Sequence, residues 1–528
     1  MSTLILTNAR IYTLDPSRPR ARGMVISNGI ITRLLNRDQD APHIPGAETQ
    51  NLQGKTILPG LTDAHIHLKG YALNLKKINC ETGTKDECLQ RVARRAAEQP
   101  PGTWILGHGW NQNAWQDGYG TRSELDAAAP HHPVYLTAKS LHAAWVNSAA
   151  LQKAGLHGDT PDPAGGRLSR DPQGNLSGLL FEKAIPLVAD IIPEPDLQEI
   201  KSAMQDAQRS LWKMGLTAVH DFDRRLSFSA LQELHREGNL KLRVTKSLPV
   251  DDMDAALQVG LRSGFGNPFL HVGSVKAFAD GALGPQTAAM ITPYQGKDED
   301  QGMLLLGEED ILQISLKAAE HGLSMAIHAI GDRANRTVLD ALQRVREEER
   351  KRAIPSLRHR IEHVQLLHPQ DVGRLAGLNI IASMQPIHAT SDMDTAQRYW
   401  GERSRYAYAW RSLLDEGTHL AFGSDAPVEV PDPFQGLYAA VSRRKPDGMP
   451  GKEGWIPQER ISLMEALQAY TTGPAYAAGK EDQLGKLRPG YWADCIVLKE
   501  DPFSIPVPRL PDLHPVQTMV NGEWVWQP

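Results

Sequence analysis

The chain has 528 residues, 41% of them apolar and 23% charged, and its 57 basic and 62 acidic residues leave a net charge of −5. That composition excludes long disorder, and the lack of a basic block speaks against nucleic acid or an anionic membrane as a partner. The length leaves room for two to four domains of ordinary size.

The opening residues, Met1-Ser2-Thr3-Leu4-Ile5-Leu6-Thr7-Asn8, lack the basic segment and apolar core of a secretory leader. No apolar run reaches the ~18 residues of a membrane span. Three cysteines, Cys80, Cys88 and Cys495, are thinly spread. Together these features predict a cytoplasmic protein with reduced thiols.

Gly23–Ile31 reads as two short strands around Asn28-Gly29. Asn-Gly between apolar runs is a strong hairpin signal, because both residues accept positive φ. A run at Ile57-Leu58-Pro59-Gly60-Leu61 is predicted as the first of eight β-rich segments. The others are Leu216–His220, Leu242–Thr245, Val272–Lys276, Leu323–His328, Arg360–Val364, Ile380–Met384 and His419–Gly423. Helical stretches such as Glu309–Glu320 and Arg333–Glu349 lie between them, a rhythm that predicts a parallel sheet closed into a barrel. About 150 residues separate the first two segments, too many for a loop, so an insertion is expected there. Val516–Trp526 then repeats the Asn-Gly hairpin at Asn521-Gly522.

The fold class expected is therefore α/β: a (β/α)8 TIM-like barrel, a small β-sandwich domain built from both termini, and a large insertion after barrel strand 1. The boundaries are residues 1–58 plus 481–528 for the β-domain, 59–69 plus 211–480 for the barrel, and 70–210 for an insertion domain covering the active site. Barrel enzymes place their chemistry at the C-terminal ends of the strands.

Candidate ligands fall at those ends. His65 and His67 are two apart in an extended segment, so both rings can reach one metal ion. Lys276 ends the fourth segment, where a lysine among apolar neighbours is costly unless its pKa falls or it is modified. His328 ends the fifth, His363 the sixth, and Asp425 follows the eighth. Singly, each is a core histidine, a snorkelling lysine or a helix-capping aspartate; jointly, a closed barrel would gather all of them at one end.

This order resembles the amidohydrolase superfamily, and the wording is similar to amidohydrolase family 3, the group containing N-substituted formamide deformylases. The resemblance rests on Leu58–His67, Lys276–Gly284, His328–Ala334, Ile361-Glu362-His363, Ser383-Met384-Gln385-Pro386 and Gly423–Pro427. It extends into the insertion through Gly109–Gln112, Glu124-Leu125-Asp126 and Val146–Leu151. One departure is Lys139-Ser140-Leu141-His142, where many relatives carry Asp-Gly before the histidine.

The resemblance implies a hydrolase of non-peptide carbon–nitrogen (amide) bonds, acting on a small molecule through a metal-bound hydroxide. His65 and His67 would bind a more buried ion, His328 and His363 a more exposed one, and Lys276 would bridge the two as a carbamate formed with CO2. Asp425 would ligate the buried ion and carry the proton. Two divalent ions are implied, zinc first, with manganese or iron compatible. The same site would also serve a cyclic amide, an ester or lactone, or deamination. A non-catalytic barrel that merely binds is the contrasting class, and its mark, lost ligands, is missing because all six positions are filled. Substrate contacts are expected from Trp110 and His142 of the insertion, and from Asp280, Arg333, Gln385 and His388 of the barrel loops. Trp110 could instead anchor a core, and Arg333 could fix a helix. Arg443-Arg444 is either an anion contact or a solvated pair. A homodimer is expected by analogy alone.

Overall fold

The structure, a computed structural model, describes residues 3–112, 115–139 and 143–527. Both Asn-Gly pairs turn as their chemistry dictates. Asn28 and Gly29 take φ of 51° and 79°, and Asn521 and Gly522 take 54° and 78°. They join Gly23–Ser27 to Ile30–Leu35 and Pro515–Val520 to Glu523–Trp526. The hairpins lie in separate sheets, one of four strands and one of six. The sheets share a core, in which Leu6, Met24, Ile26 and Ile31 pack with Ile57, Cys495, Val497 and Met519. The turns meet: a Cβ on Gly29 would lie 2.8 Å from the Asn521 carbonyl oxygen.

The run around Ile57 corrects one expectation. Thr56–Pro59 pairs with Arg10–Tyr12 and with Cys495–Leu498, so it belongs to the six-stranded terminal sheet and not to the barrel. The first barrel strand begins after Gly60, at Leu61–Ile66, and every one of its residues is buried. Polar Thr62 and Asp63 had disguised a strand whose two faces are both covered, where continuous apolar runs are the usual sign.

The barrel strands are β1 (Leu61–Ile66), β2 (Leu216–Asp221), β3 (Arg243–Pro249), β4 (Leu270–Phe278), β5 (Ser324–Ala329), β6 (Arg360–His363), β7 (Ile381–Met384) and β8 (Leu420–Phe422). They pair in parallel and in sequence order. A parallel bridge between Ile66 and Ala426 brings the segment after β8 back onto β1 and closes the sheet. Helices Arg225–Arg236, Glu308–Glu320 and Asp332–Arg352 follow β2, β4 and β5.

The chain divides into two compact units, Met1–Tyr71 with Met204–Pro528 and Ala72–Ala203. The second holds a six-stranded mixed sheet running from Gly166–Arg170 at one edge to Ile78–Asn79 at the other. Its core contains Trp110, Trp115 and Trp145 around Cys80, Cys88 and Leu136. Cys80, Cys88 and Cys495 are free and buried. Among the described residues, no helix is long and apolar enough to cross a membrane.

Candidate metal centre

The closing seam of the barrel assembles the first part of the site. The Asp425 N–H donates to the His65 carbonyl (2.7 Å) and the His67 N–H to the Ala426 carbonyl (2.8 Å). Gly423 allows the approach, since a Cβ there would lie 2.4 Å from the His65 nitrogen and 2.6 Å from Asp63 Oδ1. His65 Nε2 and His67 Nε2 then lie 3.5 and 3.4 Å from one oxygen, Asp425 Oδ1. Asp425 has φ of 60° and His363 of 75°, left-handed backbone that non-glycine residues adopt at a cost of ~1–3 kcal/mol. Such strain collects where a side chain must be aimed.

The remaining candidates surround this seam. Lys276 is buried near the end of β4, its Nζ 4.8 Å from the Phe222 ring and 4.9 Å from the Phe278 ring. Burial brings its pKa down to about 8, against the pull of the Glu362 and Asp425 carboxylates. The His328 and His363 rings are 4.5 Å apart, and His363 lies 4.9 Å from His65. His328 donates from Nε2 to the Gly281 carbonyl (2.8 Å), and His363 donates from Nδ1 to Gln385 Oε1 (2.8 Å). His388 sits on the other side of Asp425, its Nε2 3.4 Å from Oδ2.

Ligating atoms of His65, His67 and Asp425 lie within 4.8 Å of one another, and so do those of His363, His388 and Asp425. The chemistry of these donors fits a divalent ion. Burial brings His65 to about 4 and His328 to about 3, and it holds His363 well below its ordinary value, so these imidazoles are neutral at pH 7. Burial would push Asp425 up, but hydrogen bonds from His388 and His67 hold it well below the usual carboxylate range. Burial alone would lower His67; the Asp223 and Asp425 carboxylates outweigh it and raise His67 to about 9. Burial would likewise lower His388, but hydrogen bonds with Asp425 and Glu429 raise it to about 10. The neutral His65, His328 and His363 with an ionised carboxylate suit zinc, manganese or iron, and His67 joins them as a ligand only by giving up its proton.

The other expected contacts separate. Asp280 is buried and accepts the backbone N–H groups of Ala289, Ile330 and Gly331, so it organises the loops after β4 and β5. Its Oδ1 lies 3.6 Å from His328 Nε2. Gln385 is buried and orients His363. The Arg333 side chain is exposed on the helix after β5. Trp110 is 1% exposed in the core of the second unit, where its indole N–H donates to the Leu136 carbonyl. His142 lies outside the described residues, and Lys139 pairs with Glu81. Arg443 is neither an anion contact nor solvated. It is wholly buried, donates to the carbonyls of Tyr408 and Trp455, and lies 4.4 Å from the Trp410 ring.

Several side chains had no role assigned from the sequence. Glu362 Oε2 accepts from His65 Nδ1 at 2.6 Å, and Asp223 Oδ1 lies 3.5 Å from His67 Nδ1. Each of these two histidines, at and just past the end of β1, thus has a carboxylate behind it, the usual device for fixing an imidazole ligand. Asp63 accepts the N–H groups of His65 and Ser424 at 3.0 Å, and burial raises its pKa to about 7. Lys246 is buried on β3 and pairs with Asp221 Oδ2 at 3.0 Å. Glu362 carried one readable signal, its place beside His363; its pairing with His65, 297 residues away, carried none.

The sequence model of the amidohydrolase family matches residues 48–526. The chain is 33% identical to YtcJ of Bacillus subtilis over 98% of each chain. It is 28% identical to the N-substituted formamide deformylase of Arthrobacter pascens over 99% of this chain and 98% of that one. A metal-dependent hydrolase of Pyrococcus furiosus superposes with a TM-score of 0.78 at 30% identity, covering 95% of this chain and all of the other. With a closed parallel barrel, histidines and an aspartate converging on its seam, and a match over nearly the whole length, this chain belongs to the amidohydrolase family of hydrolases.

Proposed function

We propose that the protein hydrolyses a non-peptide amide bond in a small molecule, with divalent metal held at the C-terminal end of the barrel. The carrying observation is the convergence of His65 Nε2 and His67 Nε2 on Asp425 Oδ1 at 3.5 and 3.4 Å. His65, His67 and Asp425 would hold one ion, and Lys276, His328 and His363 a second. Zinc is the first choice for both. Bound there, divalent ions polarise a carbonyl and make water acidic enough to act near neutral pH.

The chain's own groups supply the rest. Asp425, ionised and aimed by its left-handed backbone, accepts a proton from the attacking water and returns it to the departing amine nitrogen. The products are a carboxylate and an amine. Lys276 forms no ion pair among the described residues, and its burial favours the neutral amine. That amine's lone pair would form an N–C bond to CO2 with loss of one proton, giving a carbamate that would supply oxygen donors to the metal site. A relative named for N-substituted formamides supports the amide over other bonds.

The test is metal analysis of the purified protein together with a screen of N-formyl and N-acyl amines against esters, lactones and aminated heterocycles. Turnover of amides in proportion to bound metal is expected. Preferred turnover of esters or heterocycles, or amide turnover after complete metal removal, would overturn the reading.

A further inference from the structure

We infer that Arg360 is a positioning residue of this centre, which acts through Glu362 to fix the ring of His65. The inference rests on the metal-dependent reading above. Arg360 and Glu362 are two apart on β6, so both enter the barrel interior. Arg360 is 3% exposed, and its guanidinium reaches four strands. Nε donates to Glu362 Oε1 (2.5 Å) and Nη2 to Glu362 Oε2 (3.0 Å) on β6. Nη2 also donates to the Ala64 carbonyl on β1 (2.7 Å) and to Ser383 Oγ on β7 (2.5 Å). Nη1 donates to His220 Nδ1 on β2 (2.8 Å).

Two of these contacts converge on one ligand. Glu362 Oε2, held by the arginine fork, accepts from His65 Nδ1, and Ala64 is the residue directly before His65. The His65 ring also stacks on Phe222, with centroids 4.1 Å apart and planes at 15°. Stacking restrains the plane of the ring but leaves open a half-turn about the Cβ–Cγ bond, which returns the ring to the same plane with its two edges exchanged. The hydrogen bond to Glu362 removes that freedom and leaves Nε2 facing Asp425. Barrel interiors are usually filled by branched apolar side chains, and a buried ion pair is seldom more stable than an apolar replacement. Stability therefore gives little reason for an arginine and a glutamate beneath the site. Orientation of a ligand does.

The experiment uses the full chain, stripped of metal and reloaded with Co2+. Affinity and the visible cobalt bands are measured for the wild type, Arg360→Met, Arg360→Lys, Glu362→Gln and the Arg360→Met/Glu362→Gln double variant. Thermal unfolding of the metal-free proteins is followed separately. Arg360→Met and Glu362→Gln should each weaken Co2+ binding by about 10–100-fold and shift the bands. Arg360→Lys, which keeps the charge but lacks the fork, should resemble Arg360→Met. The double variant should be no weaker than the poorer single variant. Wild-type affinity and spectrum in Arg360→Met, or losses that multiply in the double variant, would overturn the inference. Should Arg360→Met fail to fold, Glu362→Gln and Arg360→Lys decide it on the same readouts, and wild-type values in both would overturn it. Failure of the wild type to bind Co2+ would overturn the metal reading itself.

Discussion

Two buried cations in the barrel have opposite surroundings. Arg243, where β3 begins, forms a two-pronged pair with Asp494 at 2.6 and 2.9 Å, donates to the Pro268 carbonyl and covers the Trp492 ring at 4.0 Å. Asp494 also accepts the Asn521 N–H, so the pair ties the barrel to the C-terminal hairpin. Lys276, near the end of β4, has the Phe222 and Phe278 rings about 5 Å from its charge and feels the Glu362 and Asp425 carboxylates, but forms no ion pair among the described residues. Burial of either cation is costly. The chain completes the first charge from its own groups and leaves the second incomplete. A buried charge satisfied internally has a structural role, whereas one left unsatisfied has a place for a partner from outside.

Substitutions can break this contrast. Asp425→Asn removes the carboxylate on which His65 and His67 converge, and kcat should fall by about 10²–10⁴-fold. Steady-state rates at saturating metal, with metal content measured alongside, check this, and unchanged kcat would separate Asp425 from the chemistry. Asp494→Ala leaves Arg243 buried without its carboxylate and should cost about 3–5 kcal/mol in urea unfolding. Turnover per folded molecule should stay the same, because the change lies at the far end of the strands. A loss of kcat without a loss of stability would contradict the division.

Acid sharpens the comparison. In the metal-free protein the pKa of His67 is raised to about 9, above its ordinary 6.5. Its proton therefore stabilises the metal-free fold fully below about pH 6.5, and that contribution is lost as pH rises through about 9. A metal ion competes with this proton, so affinity should fall about tenfold for each pH unit below 9. Calorimetry in buffers of different ionisation enthalpy would count the proton released, and a count of zero would refute the competition. The smallest effect concerns Lys276→Met. Removing an unpaired buried cation should stabilise the metal-free protein by about 1 kcal/mol while lowering the number of ions bound at saturation. A lower melting temperature with unchanged stoichiometry would place Lys276 with Arg243 among the structural charges.

What could be read in advance was local. The Asn-Gly turns depend on two adjacent residues, and the spacing of His65 and His67 depends on the pleat of one strand. The misplacement of the first barrel strand shows where locality ends. Thr56–Pro59 and Leu61–Ile66 are both short buried strands, and only their neighbours separate them: Cys495–Leu498 for one, Leu216–Asp221 for the other. Arg443 shows the same limit, since a surface pair and a fully buried guanidinium over Trp410 look alike as letters.

By itself, the sequence determined which strands end in ligand-competent side chains and which turns are tight, because alternation and φ preferences act over a few residues. Only the tertiary structure decided which of these side chains meet. Closure of the sheet brings Asp425 onto the backbone of His65, and β6 carries Glu362 beneath the same ring. These contacts join residues hundreds of positions apart, and hydrogen bonds across a closed barrel are set by strand order and register, which no short stretch of chain encodes.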